Sequence, residues 1–121
     1  MKILITLLLT SYCLSLSAAD DSGNFAIWGA GKKSCFSYEK ARNGEDDSYY
    51  RNYIMGYLTS YNAQAPDTFR ISGHKNMSDI LAWMDDYCSE KQVHGFDQAL
   101  INFILEHYPN RLKKPPTSPT R

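Results

Sequence analysis

Apolar side chains recur with helical spacing in four stretches of this chain. The clearest runs from Asp46 to Gln64, where Tyr50, Tyr53, Ile54, Tyr57, Leu58 and Tyr61 share one side of a 3.6-residue period. Glu45, Asp46 and Asp47 stand at its start, where the helix dipole favours anions, and Pro66 lies just past its end. Gly56 in mid-helix costs about 1 kcal/mol relative to Ala, which predicts a close helix or backbone contact at that point.

A shorter helix is expected over Lys32 to Arg42, with Cys35, Tyr38 and Arg42 on one side. Trp28 just upstream reads as a large apolar anchor, and Asn43-Gly44 suits a left-handed cap. Asn76 can cap a third helix with Asp79 three residues on; Met77, Ile80, Leu81, Met84, Tyr87 and Cys88 then repeat, and Trp83 broadens the face. The same Asn76-Met77-Ser78 triplet matches a glycosylation acceptor, but capping explains it more simply. The last helix spans Phe96 to about Tyr108, with Phe96, Ala99, Leu100, Phe103, Ile104 and His107 on one face. Between the second and third helices, Ala65 to Lys75 reads as a wrapping loop with Phe69 and Ile71 turned inward. Four helices with short connections predict an all-α, small four-helix bundle with negligible sheet.

The ends of the chain have their own character. Residues 1–19 pair one Lys with an apolar run and close on Ser17-Ala18-Ala19, the pattern of a cleavable signal peptide. Residues 20–108 form the single helical domain, and 109–121, rich in Pro, Lys and Arg, read as a flexible basic tail. No other segment is apolar enough to span a bilayer, so no stable membrane insertion is expected after cleavage. Of the three cysteines, Cys13 leaves with the signal. In an oxidising compartment the remaining pair, Cys35 and Cys88, reads as a disulfide joining the start of the first helix to the end of the third. A periplasmic or secreted location follows.

Charge and motifs narrow the function. The 13 basic and 13 acidic side chains cancel, which does not favour nucleic acid. No G-x-S-x-G, H-E-x-x-H, phosphate-binding Gly loop or Cys-x-x-Cys occurs, so a non-enzymatic protein without catalytic residues or cofactor is expected. His74, His94 and His107 lack ligand spacing, which predicts no metal site. Asp85 and Asp86 read as a solvated face near a helix end that disfavours anions. The Tyr stripe suits either a wet-edged core or an interface.

The aromatic anchor before Cys35, the Gly56-Tyr57 step, Ile80-Leu81-Ala82-Trp83 ending in Tyr87-Cys88, and a final amphipathic helix with a basic tail together form a layout. It resembles the HdeA/HdeB-type periplasmic acid-stress chaperones, small helical proteins with one disulfide. With the Tyr108-Pro109 end of the last helix, it also resembles the Rap/Tai-type immunity proteins that neutralise secreted bacterial toxins. The first resemblance implies an acid-stress holdase for unfolded clients; the second implies an immunity or inhibitor protein that binds a toxin or enzyme. The partner is a protein in either case, with a homodimer open. Trp28, Tyr50, Tyr53, Tyr57, Tyr61, Phe69, Trp83 and Phe103 are the candidate client- or partner-binding residues. For the holdase, Asp46, Asp47, Asp79 and Asp97 at helix starts are expected to titrate low, with Asp85 and Asp86 opposing the trend.

Overall fold

A computed structural model describes residues 19–44 and 46–117. The expected signal segment, Cys13 and Glu45 therefore lie outside the described residues, apart from Ala19. Four α-helices follow a 3-10 turn at Gly29–Lys32: α1 is Cys35–Arg42, α2 Ser48–Gln64, α3 Met77–Glu90 and α4 Phe96–His107. A second 3-10 turn, Tyr108–Asn110, closes the order. The described residues contain no strand, only two isolated antiparallel bridges, Ser34 with Gly95 and Arg70 with Leu112.

The helix starts follow from their flanking residues. Ser34 precedes α1 in extended conformation and its hydroxyl accepts from the Ser37 amide. At α3 the capping box is complete, since Asn76 accepts from the Asp79 amide at 3.0 Å while the Asp79 carboxylate accepts from the Asn76 amide at 2.9 Å. Gly44 does not supply the expected left-handed cap of α1. Its amide instead donates to the Ala41 carbonyl at 3.2 Å, and Asn43 keeps an ordinary φ of −84°.

The core lies between the helices. Tyr38, Ile54, Ile71, Met84, Phe96, Leu100 and Phe103 are fully buried, with Ala30, Ala99 and both described cysteines beside them. At its centre the Tyr38 and Phe96 rings stack at 4.9 Å, and Tyr50 meets both edge-on, the arrangement aromatic quadrupoles favour. α1, α3 and α4 approach one another directly, whereas the backbone of α2 comes close chiefly to the 3-10 turn at Gly29–Lys32. Large Tyr side chains stand between α2 and the rest. One of them sets a requirement at Gly31, because a Cβ there would coincide with the Tyr53 hydroxyl.

Cys35 and Cys88 form the disulfide, with Cα atoms 4.9 Å apart. Their proximity has a backbone cause. The Cys35 and Phe36 amides donate to the His94 and Gln92 carbonyls, and the Phe96 amide donates to Lys33, so the start of α1 is strapped to the α3–α4 turn.

Three packing expectations are corrected. Trp28 is 77% exposed and does not anchor the core; its place is taken by Ala30 and by Tyr53 packed against Gly31. Ile71 is buried as expected, but Phe69, two residues before it, is 40% exposed. At Gly56 an added Cβ would meet nothing within 4 Å, so no intramolecular contact accounts for that glycine.

The segment after α4, expected to be mobile from Pro109, is held through residue 113. Leu112 exchanges two backbone hydrogen bonds with Arg70, Arg111 donates to the Thr68 hydroxyl, and the Lys113 ammonium lies 2.8 Å from Asp67. Residues 118–121 lie outside the described residues.

Candidate functional site

The residues singled out from the sequence divide into three groups. Tyr50 and Phe103 are buried and hold the core together, so neither presents a surface in the folded state. Tyr53, Tyr57, Tyr61 and Trp83 pack half-buried against the core. Trp83 stacks on Tyr87 and meets Phe103 edge-on. Trp28 and Phe69 are exposed, and sequence reasoning did not include Phe25 and Tyr49, exposed at 59% and 52%. Tyr49 was missed because it lies outside the core-facing stripe. The exposed aromatics lie on separate segments: Trp28 immediately precedes Gly29, where an added Cβ would lie 3.8 Å from the Tyr49 hydroxyl, while Phe69 belongs to the loop paired with Leu112.

Where α1, α2 and α3 meet, polar side chains close on one guanidinium. Arg42 at the end of α1 donates through Nε and Nη2 to both oxygens of Asp85 on α3, at 2.9 and 2.7 Å. Its Nη1 donates to Asp47 at the start of α2, at 2.8 Å. Arg51, one turn into α2, donates to the same Asp47, and the buried Tyr38 hydroxyl donates to Asp85 at 2.7 Å. A fork of planar donors across two carboxylates is the arrangement that guanidinium suits and ammonium does not.

This network sets the titration of its members. Burial pushes the Asp85 carboxyl up, but the Arg42 fork and the Tyr38 hydroxyl outweigh it and hold the group below the ordinary 3.8. Arg51, against opposition from burial and with help from Arg42, holds Asp47 below the same value. Burial first, and then the Asp85 charge, push the Tyr38 phenol upward. The expectation that Asp85 lies on a solvated face and opposes the acid trend is therefore corrected: the carboxylate is paired across helices and titrates low. Sequence missed it because 43 residues separate Arg42 from Asp85. Asp46 also titrates low, its carboxylate engaged by Ser48.

Elsewhere a mixed-charge cleft of about 580 Å³ lies beside Ser72, His74, Lys75, Glu106 and His107. His107 is largely buried and donates from Nδ1 to the Phe103 carbonyl at 2.7 Å. Among the described residues no group of three or more His, Cys, Asp or Glu side chains is arranged to hold a metal ion. None of the described helices is long and apolar enough to cross a membrane. No family model matches the chain, and neither a curated protein nor a solved structure does.

Proposed function

We propose that this is a non-enzymatic protein of an oxidising, periplasmic or extracellular compartment that binds other proteins, and that acid opens it into a holdase for unfolded clients. The observation that carries this reading is the Arg42 junction, where two low-titrating carboxylates tie α2 to α1 and α3. The stabilisation they supply is complete above the unfolded aspartate value and is lost as pH falls through their lower folded values. That places the loss below about pH 4. The backbone of α2 lies close to little besides the first 3-10 turn, so without Asp47 it is the helix most easily lifted. Lifting it exposes Tyr50, Ile54, Leu58 and Phe96, an apolar surface for clients, while the disulfide keeps α1 on α3. The resemblance to the HdeA/HdeB-type chaperones agrees with this reading.

The test is light scattering of an acid-unfolded reporter protein at pH 2 to 3. The chain should suppress aggregation there and not at pH 7, and Arg42→Gln should raise the pH at which suppression begins. A reporter that aggregates equally with and without the chain at pH 2 to 3 removes the holdase.

One observation favours a second reading as an immunity or inhibitor protein. Trp28 and Phe69 stand exposed on the folded chain, and Phe69 sits on a loop already pinned by Leu112. Such preformed aromatics are the usual anchors of a protein interface. A pull-down from the native envelope at pH 7 should then retain a stoichiometric toxin or enzyme, and retention lost with Trp28→Ala or Phe69→Ala would locate the surface.

A further inference from the structure

The cleft at the end of α4 has two walls, and both are fixed by the fold. One is the turn from Ser72 to Lys75. There the Gly73 and Lys75 amides donate to the Arg70 and Ser72 carbonyls, and the Gly73 backbone lies close enough to Asn110 that a Cβ would meet its carbonyl oxygen at 2.8 Å. The other wall is α4 itself, where the His107 ring stacks on Phe103 at 4.0 Å and Trp83 meets it edge-on. A ligand entering here has no wall to order, which is what makes a cleft useful for binding.

His107 also brings an unanswered acceptor. The residue is only 8% exposed, and its Nδ1 donates to the Phe103 carbonyl at 2.7 Å, so in the neutral ring Nε2 carries the lone pair. Among the described residues nothing donates to that atom. No enclosed side-chain nitrogen or oxygen there lacks a partner, so Nε2 opens onto the cleft that the ring lines. A buried acceptor facing open space calls for an N–H or O–H from outside the chain.

The surrounding charges divide in the same sense. Glu106 precedes His107 on the α4 wall, while His74 and Lys75 stand on the turn. Among the described residues no ion pair joins His74 or Lys75 to Glu106. Asp79 lines the cleft as well, but its carboxylate already accepts from the Asn76 amide in the cap of α3. One wall therefore offers acceptors for an ammonium and the other offers donors for a carboxylate. A simple anion would meet Glu106 and a simple cation would meet Lys75, whereas a molecule carrying both charges satisfies both walls. The volume of about 580 Å³ lies within the range of small-molecule sites.

We propose that this cleft binds a small zwitterion, an amino acid or a short peptide, with its ammonium on Glu106 and His107 and its carboxylate on Lys75 and His74. The site is preformed at neutral pH and is independent of the acid opening at Arg42. The test is an NMR titration at pH 7 with dialanine, following the ring signals of His107 and His74. Both should shift and saturate in the millimolar range. Acetylating the amino end or amidating the carboxyl end should each weaken binding about fivefold or more, because each removes one charged contact. The exposed Glu106→Gln should lose the discrimination against the acetylated form alone, and the exposed Lys75→Met that against the amidated form alone. Free alanine binding at least as tightly as dialanine identifies an amino acid as the ligand, and weaker binding identifies a peptide. Ring signals unmoved by either compound at tens of millimolar overturn the site. Equal binding of the blocked and unblocked forms, or discrimination unchanged in both variants, overturns the assignment of the two ends.

Discussion

Arg42 sits where three helices meet, and its side chain is 28% exposed, so its pairs are screened but not fully solvated. Replacing Asp85 by Asn keeps the shape of the acceptor and removes its charge. Three hydrogen bonds, two from Arg42 and one from the Tyr38 hydroxyl, lose their charged acceptor, and with partial screening the expected loss is about 1–2 kcal/mol at pH 7. Thermal melts of Asp85→Asn and the parent should differ at pH 7 and converge toward pH 2, since the parent carboxylate is then protonated as well. Gly73 presents a different residue-level constraint. Its φ is +62°, and a Cβ there would lie 2.8 Å from the Asn110 carbonyl oxygen, in rigid backbone. Gly73→Ala should cost at least about 1–2 kcal/mol in a denaturant titration, through left-handed strain before any clash is counted. Neither constraint was legible in the sequence. The partners of Arg42 and Gly73 arrive from distant segments, and residue type alone does not reveal which glycine has positive φ.

Helices α3 and α4 were legible almost to the residue, because a capping box marks the start of α3 and a dense apolar period marks α4, which begins after Gly95 without a side-chain cap. The start of α1 was not. The chain from Gly29 to Lys32 is a 3-10 turn fitted against Tyr53, and the α-helix begins only after Ser34. Trp28 was misplaced for a related reason: hydrophobicity says that a ring gains by burial, but only the fold says whether room remains beside Tyr53. The four helices should also differ in how readily they open. α2 lacks a side-chain cap at Asp47, whose carboxylate is committed to Arg42 and Arg51, while α3 begins with reciprocal capping bonds. Hydrogen exchange compared at pH 5 and pH 3, corrected for intrinsic rates, should show amide protection in α2 falling earlier than in α3. Uniform loss across both helices would argue against α2 as the element that acid releases.

The whole molecule depends on one covalent link for much of its margin. The cysteines are separated by 53 positions, and in the chain-entropy account closing such a loop stabilises the fold by about 4 kcal/mol. A Cys35→Ser, Cys88→Ser double variant should lose stability on that order in urea unfolding at pH 7. A loss below about 1 kcal/mol would mean that the strap from Cys35 and Phe36 to His94 and Gln92 suffices alone. The pairing was readable before the fold because reading residues 1–19 as a cleavable signal leaves an even count of cysteines. The strap that brings the sulfurs together is carried by backbone groups and leaves no mark on residue type.

The covalent ring formed by this link contains all of α2 and the loop after it, including exposed Arg70 and Lys75. One proteolytic cut after either residue would yield two fragments still joined through sulfur. On a gel the nicked protein should migrate as a single species until a reducing agent divides it. A protease could thus sever the connection between α2 and α3 without scattering the pieces.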